Sequence, residues 1–126
     1  MSESGRLGLP AAVPADLADL EIFELKARPA IRPPYVAASF GAFERAPERG
    51  QVLIIEDGGQ PVGFAVLAMV WSNRRRGEIA VIDDICADPD LDEALLRLEL
   101  RRHALARGCV ALFHHADDAM TEIRPR

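Results

Sequence analysis

The stretch Ala80 to Pro89, AVIDDICADP, constrains this chain more than any other. By simple alternation, Ile79, Val81, Ile85 and Ala87 fall on one face of a strand, and Ala80, Ile82 and Cys86 fall on the other. A strand that is apolar on both faces must lie in the middle of a sheet covered on both sides. Asp83 and Asp84 interrupt it, and strict alternation sends them to opposite faces. A carboxylate in such a place is costly unless it is solvated, paired or used. The two aspartates are therefore the first candidates for a functional role. The bland alternative is that one of them pairs with a base such as an arginine of the 74–76 loop.

Around that strand the pattern reads as a single mixed domain. With 126 residues there is no room for two cores, and an apolar share of 49% is enough for one. Residues 1–6 read as a polar tail, and Arg6 to Val13 as an edge piece limited by Gly8 and Pro10. Pro14-Ala15-Asp16 opens a helix with Leu17, Leu20, Phe23 or Glu24, and Leu25 at helical spacing. Pro29, Pro33 and Pro34 then force an extended link, and Tyr35 to Glu44 reads as a second helix. Gln51 to Glu56 and Val62 to Trp71 are strands joined by Asp57-Gly58-Gly59, whose glycines suit a tight hairpin. SNRRRG, Ser72 to Gly77, turns into the central strand Glu78 to Ala87, and its arginines read as a solvated hairpin tip.

Leu91 to Arg107 is a helix, with Leu91, Ala94, Leu95, Leu98 and Leu105 as its apolar face and Leu96, Leu100 and Ala104 off it. Gly108 caps it, and Cys109 to Phe113 is a further buried strand. No strand is expected in the polar segment 114–126. The order is (β)ααβββαβ, an α/β mixed sheet whose last pair is parallel through the helical crossover. The organisation read from it is an edge segment at 1–9, a domain at 10–113 and a polar tail at 114–126. The strand Cys109 to Phe113 would then be an open edge, which motivates a homo-oligomer or a protein partner completing the sheet.

Charge and cysteine usage narrow the partners. A net charge of -5 argues against nucleic acid or an anionic membrane and allows a cationic substrate. Cys86 and Cys109 lie in apolar surroundings, and nothing at the start resembles an export signal, which points to a reducing cytoplasm. His114-His115-x-Asp117-Asp118 and His103 contain metal-ligand types, but neighbouring histidines on a strand end point apart, so no metal site is expected. Cys86 has no His or Asn at a spacing that would make it a nucleophile. GGQPVG, Gly58 to Gly63, joins strand to strand and is no phosphate loop.

Taken together, PADLADL, QPVGFAVLAMVWS, and IDDICADP followed by EALLRLELRRHALARGCVAL resemble the GNAT N-acetyltransferase superfamily over residues 10–113. The VGFA start, the loop length and the acidic pair resemble its polyamine (diamine) acetyltransferase branch. The resemblance implies acetyl-CoA as cofactor and a small amine as acceptor. It implies that the backbone of Ile85, Cys86 and Ala87 holds the pantetheine arm. It also implies that Asp83 or Asp84 serves as general base or amine ligand, since an amine must lose a proton before attacking a thioester. Two departures count against catalysis. The family's Gly-rich loop, which offers backbone N–H groups and a helix start to the CoA pyrophosphate, has no counterpart here. Asp88-Pro89-Asp90-Leu91-Asp92-Glu93 stands in its place, without a glycine and with four carboxylates. The family's helix and hairpin beyond the fifth strand, with a Tyr or Cys for the leaving thiolate, are not matched either. The expectation that follows is a GNAT-like domain that binds or regulates without CoA. The alternative is an acyl-CoA-dependent N-acetyltransferase acting on a small amine.

Overall fold

A computed structural model describes residues 7–30, 34–116 and 119–125. The polar tail 1–6, Pro33, and the Asp117-Asp118 pair lie outside the described residues. The elements are β1 (Leu7–Gly8), α1 (Leu17–Ala27), α2 (Val36–Arg45), β2 (Gly50–Asp57), β3 (Gln60–Ser72), β4 (Gly77–Ala87), α3 (Glu93–Ala106), β5 (Ala111–Ala116) and β6 (Ala119–Ile123). The six strands form one sheet in chain order. Every neighbouring pair is antiparallel except β4 and β5, which the α3 crossover makes parallel. The mixed α/β fold expected from the sequence is the one observed. Among the described residues no helix is long and apolar enough to cross a membrane.

The hairpin between β2 and β3 forms where Gly58 and Gly59 can take φ of 60° and 86°, conformations costly for other residues. The edge piece at the start is short, as Gly8 and Pro10 require. Leu7 and Gly8 pair with Asp57 and Glu56, and Ala11 makes one further bridge to Leu53. Two apolar layers cover the sheet. On one face α1 and α2 bury Leu20, Val36 and Phe40 against Val52, Ile54, Phe64 and Val66. On the other, α3 buries Leu96, Leu100 and Ala104 against Leu53, Leu67, Ala80, Ile82 and Leu112.

Three readings of the sequence need correction. First, α3 packs through the row Leu96, Leu100, Ala104, each at most 1% exposed, while Leu105 is 37% exposed. A helix packed on a sheet buries a narrow row spaced by four residues. Counting leucines alone selected the neighbouring row, of which Leu91 and Leu95 pack partly buried against the same core. Second, segment 114–126 is not a strandless tail. β5 runs on to Ala116, and β6 returns to pair with it, Leu112 opposite Ile123 and His115 opposite Met120. The edge expected at Cys109 to Phe113 is therefore covered, and β6 is the outer strand. Third, strict alternation along β4 fails. Val66 pairs with Asp84 but Leu67 pairs with Ile82, so Asp83 is an extra residue, a β-bulge. Beyond it the faces exchange: Ile85 and Ala87 pack with Ala80 and Ile82 on the α3 side, and Cys86 packs with the α1/α2 layer. The bulge solves the problem of two adjacent carboxylates in a two-sided strand. It ejects Asp83, which is exposed, and leaves Asp84 half-buried.

Candidate functional site

β4 and β5 pair only over Ile79–Ile82 and Ala111–His114. Both strands continue past that point without bonding to each other, so they open as a V with its apex at the bulge. The opening is a cleft of about 370 Å³, at the small end of the roughly 300–1,000 Å³ typical of ligand pockets. One wall is β4 and the turn after it, with Asp83, Asp84 and Asp88. The other is α3 and β5, with Arg97, His114 and His115. Ile85, Ala87, Leu91 and Leu96 also line it and supply its apolar part.

The two aspartates have different surroundings. Asp84 faces α1, where Arg28 donates Nη1–H to Oδ1 at 3.2 Å and Nη2–H to Oδ2 at 2.5 Å. The same guanidinium reaches Glu24 Oε2 at 3.2 Å and Cys86 Sγ at 3.1 Å, and it lies 5.8 Å from the centre of the Tyr35 ring. Glu24 is fully buried, and its other oxygen accepts from the N–H of Val36 at 2.8 Å. One arginine thus ties the end of α1, the start of α2 and the bulge of β4 together. The hydrogen bond to Asp84 raises the pKa of Arg28 above its usual value, against the opposing effect of burial. The Cys86 thiol is pushed up to about 11 by burial first and by Asp84 second, so it is a protonated, inert thiol at neutral pH. The partner of Asp84 is Arg28, not an arginine of the 74–76 loop. Arg75 instead makes two bonds to Glu122, at 2.9 and 3.2 Å, and stacks over Phe113.

Asp83 has no hydrogen bond or ion pair among the described residues and stands free at the apex. On the opposite wall Arg97 Nη2 lies 3.1 Å from His114 Nδ1. A guanidinium can only donate, so Nδ1 accepts and the ring proton sits on Nε2. Burial and then the Arg97 charge lower the pKa of His114, which keeps it neutral near pH 7. Arg97 makes a loose ion pair with the exposed Glu93 at 3.7 Å.

The turn from β4 into α3 is closed on itself. Asp88 Oδ1 accepts from the N–H of Asp90 at 3.0 Å, and the Asp88 carbonyl accepts from Leu91 at 3.0 Å. Asp92 is the N-cap, its carboxylate taking the N–H of Leu95 at 3.1 Å. The helix start is thus capped by its own acids. The structure brings Asp83, Asp84, Ile85 and Ala87 to the cleft, and turns Cys86 away from it into the α1/α2 layer. Sequence reasoning missed Arg28 as the partner of Asp84, and Arg97 and His114 as the facing wall. The only sequence signal for the latter was the His pair at a strand end, and no periodicity places Arg97 beside it.

No family model matches the sequence, and no curated protein is similar to it by sequence. Solved structures do match. An integron cassette protein from the mobile metagenome of Cole Harbour Salt Marsh superposes with a TM-score of 0.69 at 22% identity, over 91% of this chain and 80% of that one. A GNAT family acetyltransferase from Brucella melitensis, in complex with acetyl-CoA, gives 0.61 at 18% identity, over 90% and 77%. This chain has the GNAT fold. A putative acetyltransferase from Agrobacterium tumefaciens gives 0.64 at 21% identity, over 86% and 81%. Structural neighbours of this GNAT-fold chain are mostly acetyltransferases, and one of them holds acetyl-CoA.

Proposed function

We propose that this chain is a GNAT-fold binding or regulatory domain that takes a small ligand into the β4–β5 cleft without relying on CoA. The observation that carries the reading is the start of α3. A CoA pyrophosphate needs free backbone N–H groups and a positive helix end. Here Asp92 occupies the N–H of Leu95, and Asp88, Asp90 and Glu93 crowd the same turn with negative charge. At the apex, Asp84 is bound through both oxygens by Arg28. That engages both of its oxygens and leaves Asp83 as the available carboxylate. The carboxylates of the cleft also accord with the polyamine-branch resemblance, in which the acceptor is a cationic amine.

The second reading, an acyl-CoA-dependent N-acetyltransferase of small amines, is favoured by the V itself. Past Ile82 the β4 backbone has no β5 partner, as a strand bonding to a pantetheine arm requires. In that reading Ile85 and Ala87 line the arm and Asp83 is the base. Calorimetric titration with CoA and with acetyl-CoA separates the two. The first reading expects no binding at about millimolar ligand, and an affinity of about 1 μM, some 8 kcal/mol, would overturn it. For association, a second copy would meet β6, the outer strand, and sedimentation at rising concentration tests that contact.

A further inference from the structure

One wall of the cleft is acidic, and the other carries a cation, Arg97, beside the exposed Glu93. Asp83 has no partner among the described residues and stands at the apex, and Asp88 follows on the same wall. Across from them are Arg97, the neutral His114 presenting Nε2–H, and His115. His114 is opposite Ile82 in the β4–β5 register, so Asp83, the next residue, is beside it at the point where the strands part. The remaining lining is apolar. Ile85, Ala87 and Leu91 are partly buried side chains of the α3-side core, and together they form a floor continuous with it.

A simple amine would satisfy Asp83 and leave the Arg97–His114 pair facing nothing. A simple carboxylate would do the reverse. An aliphatic stem would lie on the floor in either case. We infer that the cleft is built for a zwitterion with an apolar side chain, an aliphatic α-amino acid. Its ammonium is received by Asp83, its carboxylate by Arg97 and the Nε2–H of His114, and its side chain by Ile85, Ala87 and Leu91. A guanidinium and a carboxylate form the strongest of the ordinary charge-assisted pairs. The loose 3.7 Å contact to an exposed Glu93 leaves Arg97 free to make one. This inference rests on the reading of the cleft as a ligand site, and it adds the ligand's class.

The test uses three matched probes: L-leucine, 3-methylbutylamine (leucine without its carboxylate) and 4-methylpentanoate (leucine without its ammonium). Each is titrated calorimetrically into the whole chain, with CoA titrated separately. Leucine is expected to bind at least about tenfold more tightly than either fragment. Arg97→Gln should bring leucine down to the amine without changing the amine. Asp83→Asn should bring leucine down to the acid without changing the acid. Leu91→Trp, which fills the cleft and touches neither charged group, should abolish leucine binding. Equal binding of leucine and the amine, equal binding of leucine and the acid, or no heat from any probe at about 10 mM would overturn the inference. Binding of CoA bears only on the reading of the domain as CoA-independent: CoA and leucine both binding would remove that reading and keep this one, and neither binding would do the opposite. Urea unfolding of each variant distinguishes a lost site from a lost fold.

Discussion

Glu24 is the buried charge on which the α1–α2 corner depends, and its replacement gives the sharpest test of the packing argument. The side chain is fully buried, one oxygen accepting from the Val36 N–H and the other from Arg28. Glu24→Ala strands a buried N–H, which costs about 1–3 kcal/mol. It also removes a charge-assisted bond to a guanidinium whose side chain is 38% exposed. Solvent screening limits that part to about 1 kcal/mol. The sum is about 3 kcal/mol. Glu24→Gln keeps a carbonyl oxygen for Val36 and loses only the charge, so about 1 kcal/mol is expected. Equilibrium unfolding in urea reads both. With a slope of about 2 kcal/mol/M, the midpoint should fall by about 1.5 M for Ala and about 0.5 M for Gln. A cycle with Arg28→Met should return a coupling of about 1 kcal/mol between the two side chains. Gln as damaging as Ala would show that the charge, not the capped N–H, carries the corner. An Ala variant within about 0.5 kcal/mol of the parent would refute the reasoning altogether.

Other consequences can be checked with the same preparation. Leu100→Ala should cost about 2–5 kcal/mol and Leu105→Ala under about 1, and the reverse order would mean that α3 is rotated from the position described. Burial, then Arg107, lowers the pKa of His103 from its usual 6.5, and burial likewise lowers that of His114. The unfolded chain then binds protons more readily than the folded one, so this stability is complete above about pH 6.5 and is lost as pH falls from there through the lowered folded-state values. The urea midpoint should be lower at about pH 5 than at pH 7.5, and His103→Gln should flatten part of the slope; an unchanged slope in that variant would assign it to other groups. Cys86 is held at about 11, and burial first, then Glu78, raises Cys109 as well. Neither thiol should react with a disulfide reagent at about pH 8 until urea is added, and prompt labelling of the native chain would contradict their burial.

Much of this fold was legible from local chemistry. Asp57-Gly58-Gly59 could only be a hairpin, and Gly108 closes a helix whose following strand had to run parallel to β4. Even the ambiguity between Phe23 and Glu24 was visible as a polar residue at an inward helical position. What resolved it was Arg28, which binds Glu24 four residues away and joins it to Asp84, fifty-six residues further along the chain. Long-range pairing of this kind leaves no periodic trace. The β-bulge was hidden for a related reason. A two-residue acidic insertion in an apolar strand can be accommodated by alternation or by ejecting one residue, and only the β3 register selects the second. β6 was missed because Ala119–Ile123 is an exposed outer strand, whose polarity reads like a tail until β5 is there to pair with it.

The bulge also decides how the site can work. Had β4 alternated strictly, Asp83 and Asp84 would occupy opposite faces and Ile85 would leave the α3 side. With the extra residue, Asp84 reaches Arg28 and becomes part of the frame, while Asp83 stays solvated at the apex. Ile85 and Ala87 return to the α3 face and line the cleft. Frame and site therefore come from neighbouring residues with opposite duties. Substituting Asp84 should act through stability and the α1–α2 corner, whereas substituting Asp83 should act through the ligand alone. The acid pair that first drew attention in the sequence is thus one structural anchor and one free recognition group, separated by a single irregularity in the strand that carries both.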